Sequence, residues 1–134
     1  MRHKILLIDD NHDTLDLLEL LLYKSFEIVT AMNGFEGLKK AQEEKPHLII
    51  TDIMMPIMDG IRFYNNLKKE ESIKKTPVIA TSSFLKKITY KSLLNMGFNG
   101  VVSKPVKREE VFSAIEKILA DKNFSSNANE ALNS

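Results

Sequence analysis

Five short, largely apolar runs recur along the chain: Lys4 to Ile8, Glu27 to Ala31, Leu48 to Thr51, Val78 to Thr81 and Gly100 to Ser103. Each is followed by a longer segment in which apolar residues return every three or four positions. Runs of this length predict strands, and the longer segments predict helices. Strands joined through helices must be parallel neighbours, and right-handed crossovers then set helices on both faces of the sheet. A sheet covered on both faces asks for continuous apolar strands rather than alternating ones. Stretches such as "LIIT" and "VIAT" supply them. The predicted fold is therefore α/β, a doubly wound five-stranded parallel sheet. In such a sheet the site lies in the crevice at the carboxyl ends of the strands.

The helices have readable ends. The first is predicted to run to about Lys24, with Asn11 or Asp13 as its N-cap and Leu15, Leu18, Leu21 and Leu22 inward. Asn33 caps the second, Leu38 and Ala41 point inward, and Pro46 forbids continuation. The third is predicted from about Asp59 to Lys69 on Ile61, Phe63, Tyr64 and Leu67, with Asp59-Gly60 read as a turn pair. Lys86 to Met96 gives a fourth helix stopped by Gly97, and Lys107 to Ala120 a fifth, with Val111, Phe112, Ile115, Ile118 and Leu119 inward. Residues 1–122 are expected to form one domain, and the Asn/Ser-rich residues 123–134 a disordered polar tail or the start of a linker.

Composition removes several classes of function. Zero cysteines exclude disulfides, thiol catalysis and cysteine-ligated zinc, and favour the cytoplasm. The apolar runs are far shorter than the roughly 18 residues of a membrane span, and acidic Asp9 and Asp10 interrupt what could otherwise pass for a signal peptide. The net charge of +1 is unevenly spread. Residues 1–61 hold six basic and eleven acidic side chains, whereas 62–108 hold eleven basic residues against only Glu70 and Glu71. Lys68, Lys69, Lys74, Lys75, Lys86, Lys87 and Lys91 read mainly as a solvated face, on which an acidic partner could dock.

Chemistry collects where the strands end. The first closes on Asp9 and Asp10, the third on Asp52, the fourth on Thr81 and Ser82, and the fifth on Lys104. Crowded carboxylates repel one another unless a cation neutralises them. Oxygen donors without histidine or cysteine suit a hard ion, Mg2+ or Mn2+, which commonly bridges protein oxygen to phosphate. Lys104 and Ser82 add a compact positive charge and a hydroxyl suited to phosphoryl oxygens. The set matches phosphoryl transfer, in which the protein positions groups and neutralises charge.

Over about residues 3–120 the succession of Asp9-Asp10, Asp52 in "DIMMPIMDG", "PVIATSS" and "SKP" resembles the receiver domain of two-component response regulators. The resemblance implies the flavodoxin-like (βα)5 strand order 2-1-3-4-5. It also implies that Asp52 takes a phosphoryl group from a sensor histidine kinase, a phosphotransfer protein or a small phosphodonor. Asp9, Asp10, Asp52 and the backbone carbonyl of Met54 would hold the metal, Ser82 would be the switch hydroxyl, and Lys104 would pair with the phosphoryl group. The Lys104-Pro105 bond is expected to be cis. The downstream target would be a protein rather than nucleic acid or membrane, with a phosphorylation-dependent dimer among the expected states. Too few residues follow 122 for an effector domain. The expectation is a stand-alone regulator, with the receiver portion of a longer DNA-binding or enzymatic regulator as the alternative.

Rival readings lack residues they need. A haloacid dehalogenase-type phosphatase requires a second carboxylate where Met54 stands, and a flavodoxin needs a Gly/Ser/Thr-rich loop where this chain has "DDNHD". The chain also departs from the receiver pattern. Val101 occupies the position of a usual aromatic residue, so a rotating ring cannot report phosphorylation, and Ser82 lacks the methyl of threonine. Met54 and Phe84, two positions after Asp52 and Ser82, are apolar where polar side chains can orient hydrolytic water. Slow self-dephosphorylation follows. A Met54→Asn/Phe84→Glu double variant should lose its phosphoryl group faster than wild type in a phospho-lifetime measurement, and an equal or longer lifetime would contradict this reading.

Overall fold

The computed structural model of the chain describes residues 2–83 and 87–121. Five strands alternate with five helices: β1 Lys4–Ile8, α1 His12–Leu22, β2 Glu27–Ala31, α2 Gly34–Glu44, β3 Leu48–Asp52, α3 Gly60–Leu67, β4 Val78–Ser82, α4 Lys87–Met96, β5 Gly100–Ser103 and α5 Arg108–Leu119. All pairings are parallel, in the order β2-β1-β3-β4-β5. The doubly wound, flavodoxin-like fold and the 2-1-3-4-5 order are those expected from the sequence.

Strand residues alternate between two core layers, which is why the runs are apolar throughout. Ile5 and Leu7 join Leu48 and Ile50 against Leu15, Leu18 and Leu22 of α1 and Val111 and Ile115 of α5. Leu6, Ile8 and Ile49 face the other way, onto Ala41 of α2, Phe63, Tyr64 and Leu67 of α3, and Leu93 of α4. Burying each such aliphatic side chain contributes about 1.5–3 kcal/mol, so the sheet is held from both sides.

Helix ends depart from expectation by a residue or two. Asn11, not Asp13, caps α1, accepting from the backbone N–H groups of Asp13 and Thr14. This helix stops at Leu22 rather than near Lys24, because the chain turns there to bury Phe26. Its Leu21 is only half-buried. Asn33 caps α2, which ends with Lys45 in the left-handed region just before Pro46. In α3 and α5, Ile61, Phe112 and Leu119 are half-buried flanks of the core. Phe84, Lys86 and the tail 123–134 lie outside the described residues.

The loop between β3 and α3 carries backbone strain. Ile57 has φ 72°, and the N–H of Met58 donates to the carbonyl of Pro56 at 2.8 Å across it. This is a γ-turn of the rare positive-φ kind, disfavoured for a β-branched residue. The side chain is 75% exposed, so no core burial offsets the strain. Gly60 N–H to Ile53 carbonyl and Gly34 N–H to Met58 carbonyl bonds hold the loop regardless. Ile57→Gly should stabilise the fold by about 1 kcal/mol, the relieved strain exceeding the added unfolded-state entropy. Urea unfolding with an unchanged or lower midpoint would contradict that.

Candidate functional site

Because all five strands are parallel, their carboxyl ends share one rim. Asp9 follows β1, Asp52 closes β3, Ser82 closes β4 and Lys104 follows β5. Register draws them together, with Asp52 opposite Thr81 and Ser82 opposite Ser103. Asp9, Thr51, Asp52, Thr81 and Ser82 form the buried polar set among the described residues.

Each side chain is fixed by local bonds. Asp9 Oδ1 accepts from Asn11 N–H at 2.9 Å, while its own N–H donates to the Ala31 carbonyl. Met54 N–H leans on Asp52 Oδ1 at 3.4 Å. The Lys104 N–H donates to the Ser82 carbonyl at 2.9 Å, tying the ends of β4 and β5 together, and the Lys104-Pro105 peptide is cis. Gly60 lets α3 begin close beneath the acid. A Cβ there would lie 2.2 Å from the Asp52 carbonyl oxygen, so Asp59-Gly60 is more than a turn: Asp59 caps α3 by accepting from Arg62 N–H, and only glycine fits the approach.

One carboxylate oxygen from each of Asp9, Asp10 and Asp52 lies within 4.8 Å of the other two. Lys104 Nζ sits 2.7 Å from Asp9 Oδ2 and 3.2 Å from Asp52 Oδ2. One ammonium thus answers three carboxylates. Asp9 Oδ2 nevertheless accepts no well-aligned hydrogen bond although it is buried, so the lysine contact balances charge without saturating the oxygen. Burial raises the Asp52 carboxyl above its usual range, the Asp9 charge adds to the rise, and Lys104 only partly offsets it. For Lys104, burial acts to lower the pKa, but its contacts with Asp9 and Asp52 outweigh it and raise the ammonium's pKa. An oxygen-only donor set with an under-satisfied buried oxygen is consistent with a site for a hard divalent cation.

The sequence named every one of these residues but not the tight Asp9-Lys104 pair; their shared position after a strand was the available signal. Met54 is exposed, whereas Met55 and Met58 pack against the core. Val101 is half-buried in a groove wall with Tyr90 and Leu94. Of the basic residues, Lys91 is exposed, Lys68 covers the Tyr64 ring, and Lys74 pairs with Glu71. No helix among the described residues is long and apolar enough to cross a membrane.

Fold and pocket together define a doubly wound α/β domain with an acidic, lysine-bridged cleft at its strand ends. Residues 5–116 match the response regulator receiver domain, and the chain belongs to that family. It is 32% identical to the chemotaxis protein CheY of Halobacterium salinarum, over 89% of this chain and 98% of that protein. It is 29% identical to the polar-differentiation response regulator DivK of Brucella anthropi, over 90% and 99% respectively. Against the alkaline phosphatase synthesis transcriptional regulatory protein PhoP of Bacillus subtilis it is 31% identical over 99% of its length, yet spans only 55% of that relative. Among solved structures, a response regulator from Desulfuromonas acetoxidans superposes with a TM-score of 0.80 at 32% identity, covering 87% of this chain and 96% of that one.

Crowding of buried charge makes the site a stability cost. A raised folded pKa means that ionised Asp52 destabilises the fold fully above that pKa, and that the penalty disappears as pH falls below the unfolded value. Asp52→Asn should therefore melt higher than wild type near pH 7, by about 2–6 °C for a domain of this size. The gap should close on acidification. An equal or lower melting temperature at neutral pH would contradict the electrostatics.

Proposed function

We propose that Asp52 is a phosphoacceptor, receiving a phosphoryl group from the phosphohistidine of a sensor histidine kinase or phosphotransfer protein, or from a small phosphodonor. The observation that carries this reading is the convergence of three carboxylates within 4.8 Å beside a lysine that touches two of them. Asp9, Asp10, Asp52 and the Met54 carbonyl would hold Mg2+ or Mn2+, which when bound neutralises the carboxylates and draws phosphoryl oxygens to the cleft. Asp52, pinned at the strand end, presents Oδ2 as nucleophile. Lys104, already on Asp52 Oδ2, is the group that pairs with charge gathering on the incoming phosphoryl oxygens. Ser82, joined to Lys104 through its backbone carbonyl, would follow the phosphoryl group and carry the change along the ends of β4 and β5.

The domain acts as a signalling phosphoacceptor rather than an enzyme, and its output is protein contact. Near-complete coverage of CheY- and DivK-type relatives supports a stand-alone regulator. The half-length match to a transcriptional regulator supports the second reading, a receiver joined to an effector domain. Incubation with radiolabelled acetyl phosphate should label wild type only when Mg2+ is present, and should leave Asp52→Asn unlabelled. Label on the variant, or label in the absence of divalent metal, would defeat the proposal.

A further inference from the structure

With six methionines and no cysteine, thioethers are the chain's only sulfur chemistry. Three of the five described are sheltered, Met32, Met55 and Met58 packing against the core, whereas Met96 is 40% exposed. Met54 is 68% exposed, the most exposed methionine among the described residues. Its place is as notable as its exposure. It stands two residues past Asp52, and its own N–H faces Asp52 Oδ1 at 3.4 Å. Met54 lines a shallow groove with Ile53, Met55, Pro56, Asp59 and Ile61, mostly apolar surroundings with one carboxylate among them.

We infer that Met54 is a redox modification site: its oxidation to the sulfoxide by a hydroperoxide accelerates loss of the phosphoryl group from Asp52. The inference rests on the phosphoacceptor reading. In the oxidation, a sulfur lone pair attacks one peroxide oxygen, the S–O bond forms as the O–O bond breaks, and the departing oxygen leaves as alcohol or water after taking the proton. Sulfur loses two electrons and the peroxide gains them. A thioether is a poor hydrogen-bond acceptor, so Met54 as encoded offers nothing with which to orient water beside Asp52. The sulfoxide keeps the same three flexible torsions but carries a strong acceptor oxygen. Swung toward Asp52, that oxygen holds and orients the attacking water, a positioning effect that does not need it to be a strong base. Reduction of the sulfoxide by a methionine sulfoxide reductase restores the thioether and the slow rate.

The test treats the full chain with dilute hydrogen peroxide, maps sulfoxides by tandem mass spectrometry and confirms retained fold by circular dichroism. Treated and untreated samples are then labelled with acetyl phosphate and Mg2+, and the label is chased. The chase is repeated on Met54→Leu, which keeps Met96 and is judged against its own untreated lifetime. Met54 should be oxidised ahead of Met32, Met55, Met58 and Met96, and the wild-type lifetime should fall by about threefold or more, as expected for a newly oriented water. Reductase treatment should restore it, and Met54→Leu should show no peroxide effect. Preferential oxidation of any of those four, or an equal peroxide effect in Met54→Leu, would overturn the inference. So would Met54 sulfoxide with an unchanged or longer lifetime, the phosphoacceptor reading then remaining intact. Failure of untreated wild type to take up label would remove that reading and this inference with it.

Discussion

A single ammonium group held between two buried carboxylates governs this structure. Lys104 Nζ reaches Asp9 and Asp52 at 2.7 and 3.2 Å, and those acids are 1% and 6% exposed. Removing the lysine would leave buried charge without a counter-ion, a loss of the kind that costs about 3–5 kcal/mol. Yet the lysine is not enough. Asp10 adds a third carboxylate at the rim, so a net negative charge persists after Lys104 is counted. That residue of charge is consistent with a metal site of the kind receiver domains carry.

The sheet exists to make this juxtaposition cheap. Parallel strands deliver all their carboxyl ends to one side, and the order β2-β1-β3-β4-β5 puts β3, with Asp52, between β1 and β4. Apolar residues on both faces bury the strands, so the acids sit on a rigid floor rather than on loops. Backbone bonds from Asn11, Met54 and Lys104 then set each side chain within that frame. Elsewhere on the rim the loop after β3 is strained at Ile57 and exposes Met54, the opposite of what stability alone would select.

Much of this was legible in the residues. Strand positions, helix faces and the six principal rim residues follow from apolar runs and from what stands at their ends, because burial on both faces leaves no other pattern for a parallel sheet. Finer features were not. Asn11 and Asp13 are both good caps, and only the backbone geometry decides that Asn11 serves. Gly60 reads as a turn residue until the Asp52 carbonyl is seen pressed against it. Ile57 gives no warning of positive φ, because local preference argues against it and the bonds from Gly34 and Gly60 that hold the loop overrule that preference. The pairing of Lys104 with Asp9 depends on side-chain reach across β3 and β4, which no spacing along the chain encodes.

Chemical location of the transferred group tests the central claim most directly. Phosphorylation with acetyl phosphate and Mg2+, followed by borohydride reduction, converts an acyl-phosphorylated aspartate to homoserine, and tandem mass spectrometry then reads its position. Homoserine at residue 52 alone is the predicted result. Homoserine at Asp9 or Asp10, or at no aspartate while the protein carries label, would contradict the assignment of Asp52 as the nucleophile that this cleft is built around.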